Sequence, residues 1–159
     1  MKERRKHKRL PAIKGMSEPI EILLQNPQTK PVQRVPGVLT NLSAGGMDLV
    51  LFGPLEGKPT IRLNMHLPGF DRFEVEGKIV WSRPKEATSV IGIQFTKIDK
   101  DHAHQLTRTA ESFWECEDRI REKAPVVCFH GCAYWDLCEK SVKLKHPEKH
   151  PDGIATPTR

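Results

Sequence analysis

The sequence predicts a mainly β fold: a six-stranded antiparallel β-barrel followed by one C-terminal α-helix and a short cysteine-rich extension. Three observations lead to this prediction. Six short runs of β-branched and aliphatic residues, separated by turn-forming residues, lie between about residues 19 and 95. Two of these runs alternate apolar and polar residues with a period of two, as strands with one buried face do. After residue 99 the period changes to about 3.5 residues, which indicates a helix.

The six strands are separated by clear turn signals. The predicted ranges are 19–24, 35–39, 47–52, 61–67, 73–81 and 90–95. Closure into a barrel is favoured over an open sheet because it leaves no exposed edge strand. Gly77 and Gly92 interrupt two strand patterns, which predicts a bulge or a tight bend of the kind that barrel corners need. Trp81 ends the fifth predicted strand, and we expect it to point into the core.

The rest of the chain is divided between a helix and a tail. Apolar residues at positions 103, 106, 110, 113 and 120 form one stripe, with Asp99 as the N-cap and Pro125 as the stop. The stripe predicts either a lid packed on the barrel or the seam of a homodimer. We therefore expect a barrel with an N-terminal arm in residues 1–98, an amphipathic helix in residues 99–124, and a cysteine-rich tail in residues 125–159.

Composition and charge limit the class of protein. Of the 159 residues, 37% are hydrophobic and 29% are charged, and no apolar run approaches the roughly 20 residues that cross a bilayer. The N-terminus lacks the apolar segment of a secretory signal, so we expect a cytoplasmic protein with no membrane span. Residues 1–9 contain six basic residues and one Glu, and so carry +5 of the net charge of +6. This concentration favours local capture of an anion by an arm over specific binding of nucleic acid.

Two motifs supply groups that can recognise a nucleotide. Arg5 and Arg9 stand four residues apart in the basic arm, and a guanidinium fork fits phosphate oxygens or the acceptor edge of guanine. Asn41 and Ser43 offer an amide and a hydroxyl, while Gly46 can take a positive φ or allow close approach of the backbone. Alone, the first motif is typical of a solvated tail and the second of an ordinary turn. Together they predict a site for a guanine nucleotide with two phosphates.

The paired motifs resemble those of the PilZ domain family, receptors for the bacterial second messenger cyclic di-GMP. Residues 3–9, ERRKHKR, match the family's Arg-x-x-x-Arg, and residues 41–46, NLSAGG, match its Asp/Asn-x-Ser-x-x-Gly. Supporting matches are residues 77–81, GKIVW, and residues 91–95, IGIQF, so the resemblance covers about residues 3–97. It implies a six-stranded barrel whose N-terminal arm folds over bound cyclic di-GMP.

The resemblance also implies a role for each motif residue. The arginines would contact phosphates and guanine, with Arg4 as a secondary candidate, and the amide and hydroxyl of the second motif would hydrogen-bond guanine and phosphate groups. The glycine would keep the turn open. The implied ligand-binding residues are Arg4, Arg5, Arg9, Asn41, Ser43 and Gly46. The family performs no chemistry on its ligand, so we expect a regulator and not an enzyme, which signals to a downstream protein by ordering its arm.

Four cysteines lie in the last third of the chain, spaced x11, x3, x5: Cys116, Cys128, Cys132 and Cys138. Four thiolates could hold zinc or an iron–sulfur cluster, with His130, His146 or His150 as substitute ligands. The alternatives are small buried or free thiols and a redox pair. Two other functions therefore stay open: a PilZ-like protein-interaction adaptor, and a metal or iron–sulfur redox sensor that acts through these cysteines.

Overall fold

The structure is a computed structural model that describes residues 6–11, 19–26 and 31–140. These ranges contain seven β-strands and one α-helix. The strands are β1 (Leu10–Pro11), β2 (Ile20–Gln25), β3 (Gln33–Ser43), β4 (Gly46–Leu51), β5 (Thr60–Met65), β6 (Phe73–Lys85) and β7 (Thr88–Lys97). The helix is α1 (Lys100–Arg121), and a single 3-10 turn follows at Trp135–Leu137. No helix in the described ranges is long and apolar enough to cross a membrane.

Six strands close into an antiparallel barrel. Their order around the sheet is β3, β2, β5, β6, β7 and β4, and β4 pairs again with β3 to complete the ring. The additional strand β1 pairs with the end of β3, where Leu10 lies opposite Leu42. The predicted fold class is confirmed. β1 was not predicted because two residues are too few to show a period.

Alternating residues of the strands fill the interior of the barrel. In β5, Ile61, Leu63 and Met65 are buried, while the residues between them are exposed. The predicted alternation of this strand with a period of two is therefore confirmed. Full burial of a side chain of this size contributes roughly 1.5–3 kcal/mol, so three such residues in one short strand fix its register firmly.

Three strands are longer than their sequence patterns predicted. β3 continues through Asn41 to Ser43, so the motif lies at the end of a strand and only two residues form the turn. β6 and β7 meet at a two-residue turn, Glu86 and Ala87, in place of the loop predicted for residues 83–88. Most of the polar residues that continue these strands have a cross-strand partner in the ladder, as Asn41 does in Asp48 and Lys85 in Thr88.

Trp81 does not point into the core, and that prediction is wrong. The pairing of β6 with β7 shifts register between Ile79 and Trp81, and this bulge changes which residues face inward. Trp81 lies on the outer surface and is 38% exposed. Its indole covers Gly92, where a Cβ would overlap the ring, and the Arg83 guanidinium lies 5.6 Å from the ring centre. A second register shift in β6 falls at Gly77, as predicted.

The helix packs on the barrel as a lid. Asp99 caps its N-terminus by accepting hydrogen bonds from two amides of the first turn. Leu106, Ala110 and Phe113, which belong to the predicted apolar stripe, are buried in the same core as the strands. α1 also contacts β1 and β3. Most of the apolar stripe is therefore buried against the barrel of the same chain, while Ile120 near the end of the helix is 37% exposed.

The segment that follows α1 is docked on the helix. Tyr134 is 2% exposed, and its ring meets that of Phe113 edge-on at a centroid distance of 5.0 Å. The Ala133 amide donates to the Ser112 hydroxyl at 3.1 Å, and the Thr109 hydroxyl donates to the Ala133 carbonyl at 3.3 Å. Tyr134 and Leu137 belong to the same core as the barrel and the helix, and Cys132 and Cys138 pack against it.

Candidate ligand-binding site

A cavity of about 270 Å³ lies where the N-terminal arm passes the hairpin between β3 and β4. Side chains of β6 and β7 line its other walls. The arm contributes Lys6, His7 and Arg9, and the hairpin contributes Ser43, Gly45 and Gly46. Residues from both sequence motifs therefore line one cavity. Arg4 and Arg5, which were also predicted to bind the ligand, lie outside the described residues.

The described end of the arm is held beside the hairpin. Leu10 is fully buried, and its pairing with Leu42 adds the arm to the barrel as β1. The Trp114 indole on α1 donates a hydrogen bond of 2.8 Å to the Arg9 carbonyl. The arm is therefore fixed at Arg9 from two sides, and this part of the chain is not a free tail.

The hairpin is shaped by Ser43 and Gly46. The Ser43 hydroxyl donates to the Gly46 carbonyl at 3.1 Å and accepts from the Gly45 amide at 3.3 Å. A Cβ on Gly46 would lie closer than 3.0 Å to the Ile93 carbonyl oxygen, a separation that real Cβ atoms essentially never show. Gly46 does not have a positive φ. Of the two predicted reasons for glycine here, close approach of the backbone is the one observed.

Asp48 joins the two motifs, although the sequence analysis did not identify it. Its side chain is 12% exposed, and its Oδ2 lies 3.0 Å from Nη1 of Arg9. The same oxygen accepts a hydrogen bond from Nδ2 of Asn41. Asp48 is a single acidic residue within the apolar run of β4, and a charge in that position is the sequence signal that could have revealed it.

Asn41 has an unused acceptor at the site. Its Oδ1 is buried and has no hydrogen-bond partner in the described part of the chain. Buried polar atoms in folded proteins are nearly always hydrogen-bonded, so an exception calls for an explanation. A donor group on a ligand that enters beside the hairpin would supply the missing hydrogen bond.

The four cysteines come together against the second half of α1. Burial raises the pKa of the Cys116 thiol, the Lys140 ammonium beside it opposes this increase, and Cys138 and Cys128 add to it. Burial also raises the pKa of Cys132, and the other three thiols act in the same direction. The thiols are therefore close enough for their charges to interact.

Lys140 provides the positive charge at this cluster of thiols. Its Nζ lies 2.5 Å from Oε1 of Glu117 and 4.4 Å from the ring centre of Phe113. Within residues 6–11, 19–26 and 31–140, no group of three or more His, Cys, Asp or Glu side chains is arranged to hold a metal ion. The predicted zinc or iron–sulfur cluster is thus not supported there. His146 and His150 lie outside the described residues.

The fold and the candidate site together define a small closed barrel with a basic arm beside one hairpin and a cavity between the two. The model of the PilZ domain matches residues 3–112, and the chain belongs to the PilZ domain family. The resemblance that the sequence motifs predicted is therefore confirmed. No curated protein shows significant similarity to the chain.

Several solved structures are similar to the chain. The Bacillus subtilis inhibitor of motility (MotI/DgrA) shares 18% identity with it, over 77% of this chain and 54% of that one, with a TM-score of 0.49. The PilZ domain with c-di-GMP of YcgR from Escherichia coli shares 20% identity, over 77% of this chain and 99% of that one, with a TM-score of 0.48. Escherichia coli YcgR in complex with c-di-GMP shares 24% identity, over 77% of this chain and 50% of that one, with a TM-score of 0.47. The chain thus spans about half the length of MotI and of YcgR.

Proposed function

We propose that this protein is a receptor for cyclic di-GMP that acts as a regulator and not as an enzyme. The observation that carries the proposal is the convergence of Arg9, Ser43 and Gly46 on one cavity in a member of the PilZ domain family. Lys6 and His7 line the same cavity, so cationic or protonatable groups surround the place where a phosphate would lie.

Arg9 at the cavity and Asn41 beside it, which does not itself line the cavity, offer groups suited to parts of the ligand. The Arg9 guanidinium has five donors in a planar fork, which fits a phosphate or the acceptor edge of guanine. Asn41 Oδ1 is a buried acceptor without a partner in the described part of the chain, and guanine carries N–H donors. The cavity of about 270 Å³ is slightly smaller than the range for small-molecule sites, about 300–1,000 Å³, so the ligand would extend beyond it. Arg5 and Arg4 are the proposed further contacts.

Signal transmission is the second part of the proposal. Ligand contacts with the arginines would order the arm before Arg9, and the new surface would be recognised by a downstream protein. Hydrogen exchange of the amides of residues 6–8 tests this step. We expect slower exchange at saturating cyclic di-GMP, and unchanged exchange would contradict the mechanism while leaving ligand binding intact.

Calorimetric titration with cyclic di-GMP tests the receptor itself. Arg9→Ala should weaken binding by about 1.5–3 kcal/mol, the range for hydrogen bonds to charged groups, and the Arg5/Arg9 double alanine variant should weaken it further. The matched control is Arg34→Ala, because Arg34 is an exposed arginine of β3 that pairs with Glu21 and does not line the cavity. Wild-type affinity in Arg9→Ala, or equal losses in Arg9→Ala and Arg34→Ala, would refute the site.

A metal or redox function of the cysteines is the second candidate. The observation that favours it is that Cys128 and Cys138 both add to the raised pKa of Cys116 and of Cys132. Metal analysis and thiol titration of the purified protein before and after mild oxidation test this function. Stoichiometric zinc or iron would support a metal site and reversible loss of two thiols a redox pair, whereas a metal-free protein whose four thiols stay reduced would refute both. An adaptor function without a nucleotide predicts no heat of binding in the cyclic di-GMP titration.

A further inference from the structure

One carboxylate contacts both ligand motifs. Asp48 lies in β4, and its main chain is fixed by a hydrogen bond of 3.0 Å from the Thr40 hydroxyl to the Asp48 carbonyl. Its Oδ2 is 3.0 Å from Nη1 of Arg9 and also accepts from Nδ2 of Asn41. A single oxygen therefore holds the side chain of an arm residue and that of a hairpin residue at the same time.

The proposed ligand needs the donors that Asp48 occupies. A phosphate oxygen binds a guanidinium with the same fork geometry as a carboxylate oxygen. A phosphate bound to Arg9 would also lie within a few Å of Asp48, whose side chain is only 12% exposed, so little water would screen the repulsion between the two anions. Binding at Arg9 therefore requires the guanidinium to exchange the carboxylate for the phosphate.

The position of the arm does not depend on this ion pair. The Arg9 main chain is held by the hydrogen bond from Trp114, and the next residue, Leu10, is fully buried and paired with Leu42. The Arg9 side chain, in contrast, is 38% exposed. The guanidinium can thus turn from Asp48 towards the cavity while its backbone stays in place.

Asn41 can make the same exchange. Its amide nitrogen is bonded to Asp48, while its Oδ1 is buried and unpaired within the described residues. Rotation of the amide away from Asp48 would let both of its polar atoms meet groups of a ligand. Both contacts of the carboxylate are therefore contacts that a ligand can replace.

We propose that Asp48 is an intramolecular competitor of the ligand, a specificity-determining residue whose carboxylate occupies the donors of Arg9 and Asn41 until a phosphate replaces it. The inference rests on the proposed function, since it concerns cyclic di-GMP bound at Arg9. It adds that Asp48 lowers the affinity of the site for this dianion.

Asp48→Asn tests the inference because it removes the charge, preserves the size of the side chain and keeps an acceptor for Arg9. In calorimetric titrations with cyclic di-GMP at about 50 mM salt, we expect this variant to bind about tenfold more tightly than the wild type. At about 500 mM salt we expect most of this difference to remain, because salt screens a contact that is largely shielded from water much less than it screens exposed charges. Circular dichroism establishes that the variant is folded, and Asp48→Ser replaces it if it is not.

Glu21→Gln is the matched control. It makes the same change in net charge at an exposed carboxylate that pairs with Arg34 at 2.9 Å and does not line the cavity. We expect its affinity to stay within about twofold of the wild type at both salt concentrations. Unchanged or weaker binding by Asp48→Asn, while the wild type binds, would overturn the competitor role alone. Absence of binding by the wild type and both variants would overturn the proposed function as well.

Discussion

Replacement of Gly46 by alanine would test the packing that forms the floor of the cavity. A Cβ at this position would meet three backbone atoms of β7: the Ile93 carbonyl oxygen at less than 3.0 Å, the Ile93 carbonyl carbon at 3.2 Å and the Gln94 Cα at 3.3 Å. None of these atoms can move by rotation of a side chain, so β4 and β7 must separate. We expect overpacking to cost about 1–3 kcal/mol.

Separation of the strands would also disturb a neighbouring hydrogen bond. The Phe95 amide donates to the Gly45 carbonyl at 3.0 Å, directly beside the clash, and its loss would cost about 0.5–1.5 kcal/mol. The free energy of unfolding of Gly46→Ala should therefore fall by about 3 kcal/mol. For a chain of this length, this corresponds to a decrease in Tm of roughly 6–12 °C.

Urea unfolding followed by circular dichroism measures this loss, with Gly45→Ala as the matched control. A Cβ on Gly45 would lie 2.6 Å from Cδ2 of His7, which is a side-chain atom and can turn away. Both substitutions remove the same glycine freedom from the unfolded chain, so this term cancels between them. We expect Gly45→Ala to cost less than about 1 kcal/mol. Equal losses in the two variants would refute the explanation.

The remaining predictions concern α1 and the cysteines. Trp114→Phe removes the indole donor to the Arg9 carbonyl, so it should lower the free energy of unfolding by about 1 kcal/mol and speed the exchange of the Leu10 amide. The control is Trp81→Phe, which should leave this exchange unchanged. Unchanged exchange in Trp114→Phe would contradict the role of the hydrogen bond. Burial raises the pKa of Cys116, so the folded state holds more protons than the unfolded state above about pH 8.5. The free energy of unfolding should therefore fall as the pH rises from about 8.5 towards 10, and Cys116→Ala should reduce the slope in urea unfolding measured across this range. A slope that Cys116→Ala leaves unchanged would argue against this assignment.

Local sequence patterns were sufficient to predict the barrel, the amphipathic helix and the family, but not whether the helix forms a lid or a dimer seam. The alternation of β5 and the stripe of α1 are periodic, so each shows its buried face without knowledge of its partner. Trp81 was placed wrongly because a one-residue bulge changes the alternation and leaves no mark in the composition of the strand. The pattern locates a face, and the pairing of strands decides where an individual side chain lies.

The arrangement of the candidate site could be predicted only in part. Arg9, Ser43 and Gly46 were found from their motifs, but Asp48 was not, because its contact with Arg9 joins residues 39 positions apart. The hydrogen bond from Trp114 to Arg9 spans 105 positions. Such contacts depend on the folded arrangement of the whole barrel, and a single sequence contains no periodic signal for them.

The position of α1 gives the N-terminal arm and the cysteine segment a common support. The Trp114 side chain of the helix holds the arm at Arg9. The preceding residue, Phe113, is buried and contacts Tyr134 of the cysteine segment. A movement of Trp114 and Phe113 in α1 would therefore alter the support of the arm and the docking of Tyr134 at the same time. Whatever change in free energy one of these contacts exerts on the other through α1, thermodynamic reciprocity requires the reverse effect to be equal.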